Sequence, residues 1–116
     1  MIERTKKLLA RFYLTAAGRN PVREWILELP VADRHTIGKD IQKVEFGWPI
    51  GQPHCAPLSK GLWEVRSTLD SNRIARVIFC MGEGTMILLH GFIKKTQKTP
   101  QADIDLALKR KREVAP

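Results

Sequence analysis

One segment near the end of the chain gathers groups able to work on a phosphate ester: His90-Gly91-Phe92-Ile93-Lys94-Lys95-Thr96-Gln97-Lys98-Thr99-Pro100. Within the run Met86–Ile93, His90 is the side chain that titrates near neutrality, so it can give or take a proton there. It can equally be a hydrogen-bonded core histidine. Lys94 and Lys95 follow directly, and on a strand they point to opposite faces. Parity puts Lys94 with His90 and Phe92. The adjacent charge also lowers a lysine's hold on its proton, which suits one of the pair to act as a base. Earlier in the chain, Arg66 shares the less apolar face of its segment with Glu64 and Thr68. Its planar fork can clamp a phosphate through two hydrogen bonds, or simply pair with Glu64. Arg76 interrupts the apolar run Ile74–Met81. A buried guanidinium is costly alone, so Arg76 must face a partner or a cleft.

Composition sets the partners such groups would meet. Lys and Arg number 20 against 12 Asp and Glu, for a net charge of +8 and an isoelectric point near 9.9. That balance is the footprint of a phosphate-rich partner, although small basic proteins also use charge for solubility. Aromatic residues are 7% of the chain, too few for a surface built mainly to stack single-stranded bases. Cys55 and Cys80 form no paired motif, so reduced thiols and no disulfide framework are expected. His54 beside Cys55 lacks a second ligand pair at a recognised spacing, so neither a metal site nor a cofactor is expected. No apolar stretch approaches the ~18 residues of a membrane span, and the N-terminal apolar run Leu8-Leu9-Ala10 is too short for a signal peptide. The expectation is a single domain over residues 1–116, in the cytoplasm and away from membranes.

The elements that must position these residues follow from periodicity. Residues 8–17 alternate Leu8, Ala10, Phe12, Leu14 and Ala16 with more polar neighbours, which predicts a strand. Asn20 as N-cap and Pro21 at the first helical position start a helix carrying Val22, Trp25, Ile26 and Leu29. A second helix is predicted over about 32–46, with Ile37, Ile41 and Val44 inward. Residues 47–61, broken by Gly47, Pro49, Gly51, Pro53, Pro57 and Gly61, read as a loop. Strands are predicted over 62–69, 74–81 and 86–93, separated by Asp70-Ser71-Asn72 and Gly82-Glu83-Gly84. A last helix begins with Thr99 as N-cap and Pro100 at its first position, has a thin stripe of Ile104, Ala107 and Leu108, and ends in Lys109-Arg110-Lys111-Arg112. The fold class is α+β: a small, mostly antiparallel twisted sheet with two N-terminal helices packed on it and a C-terminal helix.

Three segments together resemble a known family. They are Leu58-Ser59-Lys60-Gly61-Leu62-Trp63-Glu64-Val65-Arg66, Arg73-Ile74-Ala75-Arg76-Val77-Ile78-Phe79, and Leu88 through Pro100. In this order they resemble the phage-related, HigB-like branch of the RelE/ParE toxin superfamily, and the helix start Pro21-Val22 with Trp25 also fits. The resemblance implies helices on one side of an antiparallel sheet and a cognate helix-turn-helix antitoxin as partner. It implies either cleavage of mRNA on the ribosome, as in RelE and HigB relatives, or poisoning of DNA gyrase, as in ParE relatives. A phage accessory protein that binds RNA or a host factor without cutting is a third reading. RNA can be cut without metal when its 2′-OH attacks the adjacent phosphate, given a base, an acid and positive charge around the phosphorane. On this reading Arg66, Arg76, His90 and Lys94 are the catalytic candidates. Lys60, Arg73, Lys95, Gln97 and Lys98 are the RNA-binding ones, Gln97 and Lys98 through backbone or base contacts, and Arg73 can equally be solvated. One departure stands out. RelE-like toxins often bring a C-terminal Tyr into the site, and here the only tyrosine is Tyr13.

Overall fold

In the computed structural model, which describes residues 5–94 and 98–114, the elements are β1 (Leu9–Phe12), α1 (Pro21–Leu27), α2 (Val31–Gly47), β2 (Cys55–Pro57), β3 (Leu62–Thr68), β4 (Ile74–Met81), β5 (Thr85–Lys94) and α3 (Gln101–Val114). They form one five-stranded sheet in the order β1-β5-β4-β3-β2. The class is the expected α+β, but the sheet is mixed. Strands β2 to β5 pair antiparallel, whereas β1 runs parallel to β5, with Leu9 opposite Thr85 and Phe12 opposite Leu88. Local periodicity carries no information about strand direction, so the parallel edge was not readable from it.

Several boundaries also differ, each for a local reason. The first strand is shorter than its alternating pattern. After Phe12 the chain closes a turn in which Thr15 N–H donates to the Arg19 carbonyl, and Gly18 supplies the positive φ of 83°. At α1, Asn20 makes no side-chain cap; instead Glu24 reaches back to accept from the Asn20 N–H. Residues Cys55–Pro57, expected within a loop, form a short edge strand on β3. Before α3, the Pro100 carbonyl accepts from Asp103 and Ile104 N–H, so Pro100 holds the cap position expected of Thr99. The Thr99 hydroxyl is used elsewhere.

Alternation along the strands creates two cores on opposite faces. Val65, Ala75, Val77, Phe79, Met86 and Leu88 pack with Val22, Ile37, Ile41 and Val44 of α1 and α2. Leu62, Ile78, Cys80, Leu89 and Phe92 pack with Ala107 of α3. The resemblance implied helices on one side; here α3 lies across the other face, closing what would otherwise be an exposed apolar surface. The described residues contain no helix long and apolar enough to cross a membrane.

A register shift in the β4–β5 ladder decides which side chains look toward α3. Phe79 pairs with Leu88 but Ile78 pairs with His90, so Leu89 has no partner of its own. This is a β-bulge, which inserts one residue and resets the strand's parity. Ile87 and Leu89 face α3 before it, yet after it Gly91 meets Trp25 of α1 while Phe92 faces α3. A Cβ added at Gly91 would collide with the Trp25 six-membered ring. Gly91→Ala should therefore destabilise the fold by about 1–3 kcal/mol through overpacking, read as a lower urea midpoint at unchanged slope. An unchanged midpoint would contradict this packing.

Candidate active site

Three rows of side chains cross the α3-facing surface of the sheet. Strand pairing sets Glu64 beside Ile78 and Ile78 beside His90 in the first row. Arg66, Arg76 and Phe92 form the second, and Thr68, Ile74 and Lys94 the third. Same-face neighbours on adjacent strands lie roughly 4.5–5.5 Å apart at Cβ, so these rows are contacts and not mere proximity in sequence. The arrangement runs from a buried end, with Glu64 0% and Arg76 1% exposed, to an open one at Arg66 and Lys94.

Glu64 is the hub. Its Oε1 accepts from Arg66 Nε at 2.7 Å and its Oε2 accepts from the Thr99 hydroxyl at 2.6 Å. Arg76 Nη1 lies 3.5 Å from the same Thr99 hydroxyl. Burial pushes the Arg76 guanidinium below the usual arginine range and the Arg66 charge adds to this, while the Glu64 carboxylate works in the opposite direction. A fully buried carboxylate between two guanidinium groups is compensated only while all three remain. Arg66 is half-buried, and Glu64 engages its Nε alone. Among the described residues, the two Nη nitrogens of Arg66 have no hydrogen-bond partner.

His90 is held from α3. Its Nε2 lies 2.6 Å from Asp103 Oδ1, and its ring stacks on Phe92 with centroids 5.5 Å apart. A carboxylate on one ring nitrogen fixes the imidazole's orientation, leaving Nδ1 as the other reacting position. Asp103 was not singled out in the sequence; the signal was an acidic residue in the first turn after Thr99-Pro100. Arg110, in the basic run at the end of α3, donates from Nη1 to the carbonyl of the bulged Leu89 at 2.7 Å and lies over the Tyr13 ring. Tyr13 in turn donates to Glu113 and is buried in the core that Ile78, Leu89 and Phe92 share with α3. The basic tail is thus partly structural: it secures the bulge that turns His90 inward.

The remaining candidates scatter. Arg73 is bound through both terminal nitrogens to Asp33 of α2, at 3.0 and 3.3 Å, which anchors the start of β4 on the opposite face. Lys60, with φ of 56°, sits in the turn before β3, where its carbonyl accepts from Lys111 near the far end of α3. Lys98 is exposed beside Thr99. Lys95 and Gln97 lie outside the described residues. The structure therefore brings together Arg66, Arg76, His90 and Lys94, and separates them from Lys60 and Arg73.

With this geometry in view, the comparison with known families is direct. The family described as phage-derived protein Gp49-like (DUF891) matches residues 24–112. The chain belongs to this family. The Gp49-like proteins are a RelE/ParE-type toxin family, which relates the chain to toxin–antitoxin systems and points to an antitoxin as partner. The matched span contains every residue of the three rows. No curated protein matches the chain.

Two stability predictions follow from the hub. Glu64→Leu leaves Arg76 buried without its countercharge and should cost about 3–5 kcal/mol, read by chemical denaturation. Cys55, on the strand beside β3, has its thiol pushed up to about 11, first by burial and then by Glu64. The unfolded thiol ionises near 9.0, so folding stability should be intact below that pH and fall between it and about 11. Cys55→Ala should flatten that alkaline decline in a pH series of denaturation curves.

Proposed function

We propose that this Gp49-like protein is the toxin of a type II toxin–antitoxin module in the HigB-like branch, and that it cuts mRNA on the translating ribosome in the cytoplasm. The observation that supports it is the convergence of Arg66, Arg76, Lys94 and an Asp103-held His90 on one sheet face. An imidazole among cations matches what RNA cleavage by its own 2′-OH requires. The 2′ oxygen forms a bond to phosphorus and the bond from phosphorus to the 5′ oxygen breaks, giving a cyclic phosphate and a 5′-OH. One group accepts the 2′-OH proton and another donates to the departing 5′ oxygen. His90 and Lys94 are the two proton carriers on the face. The Nη fork of Arg66 binds the phosphate and stabilises the charge that develops on it. Arg76 is too buried to touch RNA, so it acts through its positive field and by holding Glu64 in place. That role differs from direct contact with the phosphate. The site asks no contribution from a tyrosine, consistent with Tyr13 being committed to α3. A cognate helix-turn-helix antitoxin is the partner that would restrain it.

Inducing the protein in cells should produce cleavage within translated reading frames. Arg66→Ala should abolish it, and His90→Ala should slow cleavage by roughly 10²–10⁴-fold, the range of a general acid or base. RNA affinity should also fall steeply with salt. Intact transcripts with an induced DNA-damage response would replace this reading with a gyrase-directed one. Intact transcripts without that response would leave an RNA- or host-factor-binding protein.

A further inference from the structure

Bounded by Arg66, Thr68 and Ile74 of the second and third rows lies a cleft of about 350 Å³, completed by Asp40, Pro53 and His54. It sits at the lower end of the range for small-molecule pockets, roughly 300–1,000 Å³. Arg66 belongs to both places: its Nε reaches Glu64 in the reactive rows while its side chain forms a wall of the cleft. His54 is fixed beside Arg66 because its carbonyl accepts from the Arg66 N–H.

The unusual member is Asp40. It belongs to the inward face of α2 together with Asp33, Ile37, Ile41 and Val44, and is only 9% exposed. Of the other buried acids of α2, Asp33 is fully used by Arg73, and Glu45 by Lys6 and the Ala10 N–H. Among the described residues Asp40 has only Lys43 within ion-pairing distance, at 3.5 Å and through a largely exposed ammonium. Such a surface pair on one helix contributes a few tenths of a kcal/mol, which does not account for a carboxylate held inward. Among the described residues Asp40 Oδ2 has no partner.

A carboxylate accepts hydrogen bonds and repels phosphate. In a cleft that opens beside a phosphate-binding arginine, its match on RNA is a base edge that presents donors. Guanine offers two adjacent donors, N1–H and the 2-amino group, to the two oxygens of one carboxylate. Adenine and cytosine offer an amino group beside an acceptor, and uracil a single N–H between two acceptors. Single-stranded RNA is read in this way, on the Watson–Crick edge of an unstacked base that packs on a ring or guanidinium plane. His54 and Arg66 supply such planes here.

We propose that this cleft is a guanine pocket, in which Asp40 reads the base of the nucleotide whose phosphate Arg66 holds. It rests on the ribonuclease reading for its use, since the base belongs to the mRNA being cut, but its chemistry can be tested without cleavage. The probes are the four ribonucleoside monophosphates, titrated onto the whole protein and followed by amide shifts in NMR. A bidentate base contact is worth roughly 5- to 150-fold in discrimination. Guanosine monophosphate should therefore bind at least about fivefold more tightly than the other three, with shifts centred on Asp40 and His54. Asp40→Asn, which keeps the shape and swaps one acceptor for a donor, should erase the preference. Arg66→Ala should weaken all four nucleotides alike, and circular dichroism should show both variants folded. In translating extracts, Asp40→Asn should redistribute cuts away from guanosine. Equal binding of the four nucleotides, or a preference that survives Asp40→Asn, overturns the pocket. A guanine preference in a protein that cuts no transcript overturns the ribonuclease reading and leaves the pocket standing. A preference lost in Asp40→Asn with an unchanged cleavage pattern overturns the assignment to mRNA and makes free guanine nucleotide the ligand.

Discussion

The structure turns on a carboxylate that is completely removed from water. Glu64 lies in the middle of the sheet, and a lone charge there would be strongly disfavoured. Its burial is sustainable because three groups from three parts of the chain converge on it: Arg66 two residues along β3, the Arg76 charge on β4, and the Thr99 hydroxyl just ahead of α3. This one interaction ties the last helix to the centre of the sheet. It also explains why Arg76, the most buried cation of the face, can be buried at all. The cluster holds more positive than negative charge, and the excess lies at the open end, where Arg66 and Lys94 meet solvent. A site with that imbalance favours an anion developing in front of it.

The second constraint is geometric. Strand β5 carries one more residue than its partner β4 opposes, and that single insertion reverses which residues face α3. Without it His90, Phe92 and Lys94 would point into the core under α1 and α2, where a lysine and a histidine would be costly. With it, Gly91 faces Trp25 and needs no side chain, while His90 meets Asp103. Arg110 holds the carbonyl of the extra residue, so the far end of α3 stabilises the bulge and the near end uses it. Fold and site are thereby coupled through one helix.

This coupling bears on the relationship between stability and activity. Asp103, Thr99 and Arg110 would ordinarily be counted as packing residues of a polar terminal helix with a narrow apolar stripe. Each instead satisfies a group on the sheet that belongs to the candidate site or to the bulge that sets it. Polar bonds hold α3 where apolar area is small, and such bonds are directional, so they position as well as attach.

The sequence alone determined the kind of element at most places, the edge strand Cys55–Pro57 excepted, because that depends on local period and on turn residues. The limits of β4, the turn at Asp70–Asn72, the Pro21 helix start and the split of β3 into Trp63-Val65-Ser67 and Glu64-Arg66-Thr68 all follow from neighbours along the chain. The RelE/ParE-type relationship was legible for the same reason, since its signature is a linear order of residues. The grouping of Lys94 with His90 and Phe92 was also legible, being a matter of parity within one strand. Tertiary structure decided the rest. Strand order, the parallel placement of β1, the bulge at Leu89 and the face that α3 covers are long-range pairings that no local pattern encodes. They explain why Arg73 is consumed by Asp33 and Lys60 lies at the wrong end of α3, although both looked as available as Arg66. They also explain how the candidate segment was visible as a string, and the Arg66–Glu64 pair as an option within one strand, while the partner Asp103 was not. A residue's charge and spacing are written in the chain; the countercharge that folding brings to it is not.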